Sequence, residues 1–247
     1  MDNIFSRVRA LVGDEQLGKL SDAHVVVAGY GAVGSFAAEA LVRSGIGHIR
    51  IIDADRYEET NINRQLGATT ATIGRTKVEV GREHLLEIHP RLDIECCAEL
   101  IGADNLDIVS RPFESDQRRP DAVIDAIDTI DAKVALLAWC FTNKIEVFSS
   151  MGAARKLHPE LIRFGDISQT EVCPLAREVR KRLRKLGVER GINCVYSIEH
   201  AIERSHNASD PESGAVVRRP QLGSMITVTG SFGLHLASHC INRILTG

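Results

Sequence analysis

The sequence predicts an α/β fold in which helices cover both faces of a doubly wound, mostly parallel sheet, followed by a mixed C-terminal extension. Short runs rich in valine and isoleucine alternate with segments whose apolar residues recur at helical spacing. A glycine-rich turn joins the first such run to the first helical segment, and the alternation loosens after Ser150. Strands that alternate with helices form β-α-β units, whose right-handed crossovers place the strands parallel in one sheet.

Apolar spacing defines the elements of the N-terminal half. The run that opens at His24 and the run that ends at Ile52 have the composition of strands buried on both faces. Helical segments follow these runs, and Pro90 is expected to stop the second helix. The predicted order is strand 24–28, helix 32–44, strand 49–52, helix 75–88, strand 92–96, strand 122–127, helix 131–143 and strand 145–149.

The C-terminal extension is less regular. Its apolar spacing predicts strand 161–167, helix 174–186, strand 193–198 and a last helix over 223–245. The segment 204–221 is rich in serine, proline, glycine and charge, which predicts a long loop.

Composition and charge exclude several classes of protein. The 247 residues are 44% hydrophobic and 26% charged, which excludes long disorder as the main state. A net charge of −3 provides no overall attraction to nucleic acid or acidic membranes, so a polyanion site must be a local patch. The six cysteines form no C-x-x-C pair, and the N-terminus is too polar for a signal peptide. We therefore expect a reduced, cytoplasmic protein without a membrane span.

Gly29, Gly31 and Gly34 have the G-x-G-x-x-G spacing between the first strand and the first helix. In this Rossmann-like context the first glycine permits the turn, the second lets backbone approach a phosphate, and the third lets the helix pack on the sheet. The N–H groups at the helix N-terminus also favour phosphate. Asp53 ends the second strand, where an acid can accept hydrogen bonds from ribose hydroxyls, and Asp55 is its close competitor. These features fit NAD as well as ATP.

The polar run after the second strand favours ATP. The polar run that follows the ribose acid ends with three amides and a guanidinium: Asn61, Asn63, Arg64 and Gln65. Lys77 follows at the start of a helix, and two cations at this edge of the sheet suit a triphosphate better than a nicotinamide ring. The plain alternative is a solvated turn with surface cations. An NAD enzyme or a non-catalytic sensor is another, but it would leave Arg64 and Lys77 unexplained.

Two acids, Asp125 and Asp128, end another predicted strand at the same edge, with Thr129 next to them. An acid beside phosphate-binding cations is best explained by Mg²⁺, which is typically held by one or two carboxylates plus substrate phosphates. Asp128, last on the predicted strand, is the better metal ligand. Asp125 is expected to cap a helix or to support the site without touching the ion.

Together, the motifs from Gly29 to Asp128 resemble the adenylation fold of ubiquitin-activating enzymes and of the bacterial adenylyltransferases of molybdopterin and thiamine synthesis. The resemblance departs at Ala32, where many members carry glycine. It implies that Asp53 binds ribose and that Asp128 contacts Mg²⁺. The phosphates would be held by Asn63, Arg64 and Lys77.

The same resemblance implies a homodimer in which an arginine near the N-terminus reaches the partner's site. Arg7 matches that position, with Arg9 as the substitute. Catalytic roles are therefore expected for Arg7, Arg64, Lys77 and Asp128. The nucleotide site is expected to comprise Gly29, Gly31, Gly34, Asp53, Asp55, Asn61, Asn63, Arg64, Gln65, Lys77, Asp128 and Thr129.

Segments 149–154, 173–185 and 193–199 resemble the tRNA threonylcarbamoyladenosine dehydratases, with Cys173 standing where an aspartate is expected. This resemblance implies an ATP-dependent enzyme that adenylates the threonyl carboxylate of threonylcarbamoyladenosine in tRNA and cyclises it, releasing AMP and pyrophosphate. The alternative is an adenylyltransferase that activates the C-terminal glycine of a small ubiquitin-like sulfur-carrier protein. A sulfur-relay or carrier protein therefore stays open as a partner. We divide the chain into an N-terminal helical segment (1–20), an ATP-binding adenylation core (21–152) and a substrate-binding portion of the same domain (153–247).

Helix 174–186 carries a local basic patch, proposed to contact tRNA: Arg177, Arg180, Lys181, Arg184 and Lys185. A buried stripe is expected on its other side, formed by Val172, Leu175, Ala176, Val179, Leu183 and Leu186. Charge alone is equally consistent with a soluble helix face.

The cysteines and histidines of the second half suggest no chemistry of their own. Cys173 and Cys194 are interpreted as small buried hydrophobes rather than nucleophiles. His235 and His239 lie one helical turn apart, but the sequence offers no third ligand beside them.

Overall fold

The computed structural model of the chain describes residues 4–202 and 222–247, and the predicted loop 204–221 lies outside these ranges. At its centre is a seven-stranded sheet in the order β3-β2-β1-β4-β5-β7-β6. The strands are β1 (His24–Ala28), β2 (His48–Ile52), β3 (Asp93–Cys97), β4 (Ala122–Asp125), β5 (Val147–Ser150), β6 (Ile162–Asp166) and β7 (Asn193–Ser197). All neighbouring strands are parallel except β6 and β7, which pair antiparallel at one edge. The prediction of a mostly parallel sheet with a mixed C-terminal extension is confirmed.

Helices cover both faces of this sheet. They are α1 (Ser6–Val12), α2 (Asp14–Ser21), α3 (Gly34–Arg43), α4 (Lys77–Ile88), α5 (Asp107–Ser110), α6 (Ile130–Thr142), α7 (Pro174–Lys185) and α8 (Ile226–Thr246). Successive residues of a strand point to opposite faces, so Val25 and Val27 pack with α3, α4 and α8, whereas Val26 and Ala28 pack with α5, α6 and α7. No helix in the described ranges is both long and apolar enough to cross a bilayer.

The strand order creates a crevice where the direction of winding reverses. The chain passes from β1 to β2 and β3 on one side, then returns to β4 on the other side of β1. In open α/β sheets, ligands bind outside the carboxyl ends of the strands at such a switch point. The segments that follow β1, β2 and β4 carry the predicted nucleotide residues, so the topology gathers them at one edge.

Several predicted boundaries shift for local reasons. The strand predicted over 122–127 ends at Asp125, because its carboxylate accepts a hydrogen bond from the backbone N–H of Ile127 at 3.1 Å and turns the chain away. The predicted N-terminal helical segment consists of two helices, α1 and α2, separated at Gly13 with φ +84°. Lys144 adopts φ +55°, and β5 begins only at Val147, later than the predicted 145.

Candidate active site

The turn after β1 requires glycine at two of its three glycine positions. Gly29 has φ +91°, and a Cβ there would lie 2.8 Å from the carbonyl oxygen of Ala126. A Cβ on Gly34 would lie 1.8 Å from the carbonyl oxygen of Gly29. Gly31 differs, because the atom nearest to a Cβ there would be Gln65 Nε2 at 3.8 Å. Space therefore remains beside Gly31, where backbone could approach a phosphate.

Asp53, Asp55 and Lys77 come together at the carboxyl end of β2. Lys77 Nζ lies 2.7 Å from Asp55 Oδ2 and 3.4 Å from Asp53 Oδ2. Asp53 also accepts hydrogen bonds from the backbone N–H groups of Tyr30 at 2.7 Å and of Asp55 at 2.9 Å. Lys77 is only 5% exposed, so its cation is held near the sheet edge by the two acids. These contacts place Asp53 beside the glycine turn, where a ribose-binding acid is expected.

Two amides of the polar run serve the loop itself. Asn61 Oδ1 accepts a hydrogen bond from the backbone N–H of Glu58 at 3.1 Å, which completes a capping box on a short 3-10 turn. Asn63 Nδ2 donates to the carbonyl of Ser224 at 3.0 Å, tying the run to the segment before α8. Both residues are predicted to contact the nucleotide, whereas in the structure their side chains bond to the backbone of the loop and of Ser224.

Arg64 and Gln65 end the polar run. The Arg64 guanidinium donates to the carbonyl of Thr60 at 2.7 Å and to Asn63 Oδ1 at 2.9 Å. Gln65 is buried beside Gly31, and its Oε1 has no hydrogen-bond partner within the described part of the chain. Because buried polar atoms are nearly always hydrogen-bonded, this oxygen is suited to a polar ligand or a water.

Tyr57 and Thr76 lie in the same loop region; the buried Thr76 hydroxyl has no hydrogen-bond partner within residues 4–202 and 222–247, whereas the Tyr57 hydroxyl lies against Gly67. Burial, and then the nearby charge of Asp53, raise the pKa of Tyr57, so its hydroxyl stays protonated. An opening beside Gly31, an oriented acid, a cation and unpartnered polar atoms thus occur together. This residue set fits a phosphorylated nucleoside.

The turn after β4 separates the two acids that sequence analysis places on one strand. β4 ends at Asp125, so the prediction that Asp128 is last on the strand is wrong. Asp128 instead lies exposed in the loop that follows, and its Oδ1 accepts a hydrogen bond from the hydroxyl of Thr129 at 3.4 Å. An exposed carboxylate at the carboxyl edge of the sheet is accessible to a divalent cation.

Asp125 is not a helix cap, because Thr129 occupies the N-cap of α6. It is fully buried and lies 2.6 Å from Lys133 Nζ, and the Ser149 hydroxyl donates to the same oxygen at 2.6 Å. Neither Lys133 nor Ser149 is among the predicted site residues. The available signal is a lysine in a largely apolar helix, because a buried charge needs a partner.

Arg7 lies exposed on α1, whereas Arg9 forms an ion pair with Asp14 at 3.0 Å. Within residues 4–202 and 222–247, Arg7 makes no side-chain hydrogen bond or ion pair. Its guanidinium is therefore free to contact another chain. The homodimer stays a prediction.

Four of the five predicted RNA-contacting cations on α7 form one exposed face, called the α7 basic face below: Arg177, Lys181, Arg184 and Lys185. None has a side-chain hydrogen bond or ion pair within the described ranges. Arg180 does not belong to this face, because its guanidinium turns back to the Thr170 carbonyl at 2.7 Å and the Ile167 carbonyl at 3.2 Å.

The buried side of α7 is shorter than predicted. Ala176, Val179 and Leu183 are buried in the core. Val172 and Leu186 are exposed, so their assignment to the buried stripe is wrong. Both lie outside Pro174–Lys185, where helical spacing no longer applies.

Cys173 and Cys194 are 3% and 0% exposed, in agreement with their interpretation as small buried side chains. Burial, with a smaller effect of the Asp166 charge, raises the pKa of Cys194 to about 12. Cys194 is therefore a thiol at neutral pH, whereas nucleophilic chemistry needs the thiolate.

The C-terminal histidines form no metal site within the described residues, where the single group of three potential ligands is His24, His48 and Asp116. This group lies at the amino end of β1 and β2, opposite the nucleotide edge. The two imidazole rings stack 4.0 Å apart at 9°. Nearly parallel rings direct their nitrogen lone pairs along parallel planes rather than toward one point, so the group is not arranged as a ligand set.

The model of the ThiF family matches residues 5–247 of this chain. The chain belongs to the ThiF family. A relative, tRNA threonylcarbamoyladenosine dehydratase of Bacillus subtilis, is 38% identical over 205 residues, covering 80% of this chain and 76% of the relative. The protein of the same name from Escherichia coli is 33% identical over 256 residues, covering 98% of this chain and 93% of the relative.

Among solved structures, this ThiF-family chain is similar to the E. coli tRNA N6-threonylcarbamoyladenosine dehydratase in complex with ATP, with a TM-score of 0.85 and 33% identity. The match covers 98% of this chain and 93% of that one. The resemblance inferred from the motifs, to the adenylation enzymes and to the dehydratases among them, is confirmed.

Proposed function

We propose that the protein is an ATP-dependent dehydratase that adenylates the threonyl carboxylate of threonylcarbamoyladenosine in tRNA and cyclises it. The observation that carries this proposal is the extent of the likeness to the dehydratases, which includes both the nucleotide edge and the C-terminal half with β6, β7 and α7. A likeness limited to the ATP-binding core would suit any adenylating relative. The carrier-protein alternative has no comparable observation in its favour.

The nucleotide would lie at the carboxyl edge of β1, β2 and β4. Asp53, with Asp55 beside it, would bind the ribose, and the open backbone at Gly31 would approach the phosphates. Lys77 and Arg64 supply the positive charge that a triphosphate needs. Lys77 would exchange part of its contact with Asp53 and Asp55 for phosphate oxygens.

Asp128 would hold Mg²⁺, with Thr129 beside it. Its exposed carboxylate at the switch point has the oxygen chemistry that this ion prefers. The bound ion would supply charge neutralisation for the phosphates. Asp125 would not be a ligand, because its carboxylate is fully buried and paired with Lys133.

The reaction has two steps. A threonyl carboxylate oxygen attacks the α-phosphorus of ATP, forming an acyl-adenylate and releasing pyrophosphate. The ureido group of the same nucleoside then attacks the activated carbonyl, loses a proton and closes a ring as AMP departs with the carboxylate oxygen. The net change in the nucleoside is loss of one water. Since nucleophile and electrophile belong to one molecule, proximity supplies much of the second step.

The experiment that tests the proposal is AMP production by the purified protein with ATP, Mg²⁺ and tRNA bearing threonylcarbamoyladenosine. We expect AMP and pyrophosphate in equal amounts, together with a nucleoside lighter by one water in a digest of the tRNA. The same tRNA without the modification is the control and should yield neither product. AMP formation that ignores the modification, or that instead requires a carrier protein ending in glycine, would refute the proposal.

We also propose that the enzyme is a homodimer in which Arg7 completes the partner's site. Arg7→Ala and Lys77→Met should each be nearly inactive alone. A dissociated and reassociated mixture should recover about a quarter of the normal activity, because half the dimers are mixed and each contains one intact site. If Arg7 served its own chain, every site in the mixture would carry a lesion. Absence of recovery, with mixed dimers demonstrated, would contradict the proposal.

A further inference from the structure

Asp125, Lys133 and Ser149 form a buried cluster, called the Asp125 network below. All three side chains are fully buried. Lys133 Nζ and Ser149 Oγ each lie 2.6 Å from Asp125 Oδ2, and the Lys133 and Ser149 atoms are 3.5 Å apart. Asp125 Oδ1 accepts the backbone N–H of Ile127 at 3.1 Å. Three donors thus compensate for the removal of the carboxylate from water.

Fold stability alone does not account for this network. A buried ion pair loses hydration on both charges, and well-packed apolar side chains of similar volume are often at least as stabilising. The network lies between β4, β5 and α6, on the face of the sheet whose core includes Val123, Leu136 and Cys194, all of them fully buried. The polar groups make directional contacts, which apolar side chains would not: their hydrogen bonds fix the carboxylate and the backbone of Ile127 in one arrangement.

The segment fixed in this way connects two parts of the candidate site. It leads from Asp125 to Asp128, and it also touches the glycine turn. The backbone N–H of Ala126 donates to the Ala28 carbonyl at 2.8 Å, and a Cβ on Gly29 would lie 2.8 Å from the Ala126 carbonyl oxygen. Movement of this segment would therefore displace Asp128 and press on the glycine turn together.

We propose that Asp125, Lys133 and Ser149 are positioning residues for the nucleotide site, which act by holding the turn that carries Asp128 against the glycine turn. The inference rests on the proposed role of Asp128 in binding Mg²⁺. Lys133 does not contact the phosphates, because its ammonium is fully buried and paired with Asp125. The network acts through Asp128, as outer hydrogen-bond partners orient a metal ligand.

The test is the Mg²⁺ dependence of ATP binding, measured by calorimetry on the full chain with ATP and Mg²⁺ alone. The double variant D125N/K133M removes both charges together and leaves no unpaired buried ion. We expect it to raise the Mg²⁺ concentration for half-maximal ATP binding by about 10-fold. S149A keeps the ion pair and should produce a smaller shift in the same direction.

The same changes made in a D128A variant distinguish a positioning role from a merely structural one. In a D128A background, adding D125N/K133M should not change the Mg²⁺ dependence further, because the carboxylate that the Asp125 network positions is absent. R50M/E95Q removes another ion pair, between β2 and β3, in which the Arg50 side chain is fully buried and that of Glu95 is 14% exposed, and it is the control. It should lower the melting temperature without shifting the Mg²⁺ requirement.

An equal shift in the D128A background, or the same shift from the control variant, would overturn the inference. So would ATP binding by the unaltered chain that does not depend on Mg²⁺. These measurements contain no RNA, so they test the role of the Asp125 network even if the proposed tRNA reaction is not observed.

Discussion

Replacing Lys77 with methionine is expected to slow AMP formation by about 10²- to 10³-fold, the loss seen when one preorganised electrostatic group is removed from a transition state. The Lys77 ammonium lies at the sheet edge within 2.7 Å of Asp55 and 3.4 Å of Asp53. Methionine keeps the unbranched stem but carries no charge. Its partners, Asp53 and Asp55, would then face the phosphates without a compensating cation. Single-turnover AMP formation with modified tRNA and saturating ATP measures the effect.

Two variants show whether charge at this position is the cause. Lys77→Arg keeps the cation, although its planar group differs in shape, and should retain more activity than Lys77→Met. Lys19→Met makes the same substitution at an exposed lysine on α2, where the ammonium pairs with Glu15 at 3.6 Å, and should behave as the unaltered protein. Normal single-turnover rates for Lys77→Met would remove Lys77 from the catalytic set.

The geometry of the glycine turn and the position of Asp53 could be predicted because both depend on neighbours along the chain. Gly29 and Gly34 approach each other within one strand-turn-helix unit, so their spacing alone implies the contact. Asp53 directly follows β2, whose apolar composition fixes where the carboxyl edge lies. Lys77 was found in the same way, as a cation at the first position of a helix that returns to that edge.

The Asp125 network could not be predicted because it forms across β4, α6 and β5. Apolar spacing extended β4 through Ile127, and that placed Asp128 on the strand. The actual end at Asp125 depends on a carboxylate that also binds Lys133 and Ser149. No periodic pattern encodes such a meeting of three elements.

Hydrogen bonds to nearby backbone groups explain why the side chains of Asn61 and Arg180 are not placed as predicted. Asn61 could bind a ligand, but an asparagine near a turn readily bonds to its own backbone, and here it completes a capping box with Glu58. Arg180 lies on the same helix as the exposed cations, but its long side chain reaches the carbonyls of Ile167 and Thr170. Charge counted along a helix therefore overstates the charge that is available to a partner.

This distinction sharpens the test of RNA binding. Reversing the charge at Arg177, Lys181 and Arg184 is expected to weaken tRNA binding by about 100-fold and to reduce the salt dependence of log K by about 2 to 3 in slope. These residues lie on one face of α7, at successive turns, and their charges have no intramolecular partner within the described ranges. Each could therefore neutralise one phosphate and release its counterions. Filter binding or fluorescence anisotropy over a series of salt concentrations measures both quantities.

The control must change the net charge equally outside α7. Replacing Arg82, Arg91 and Arg119 with glutamate does so at three exposed positions, and it should affect affinity much less, because these side chains do not belong to the α7 basic face. Arg180→Glu is not a suitable fourth change, because it would set a carboxylate against the carbonyls of Ile167 and Thr170 and destabilise the fold. If both triple variants weakened binding equally, overall charge rather than the α7 basic face would account for tRNA affinity. If neither weakened it, this helix would be a solvated surface and the RNA site would lie elsewhere.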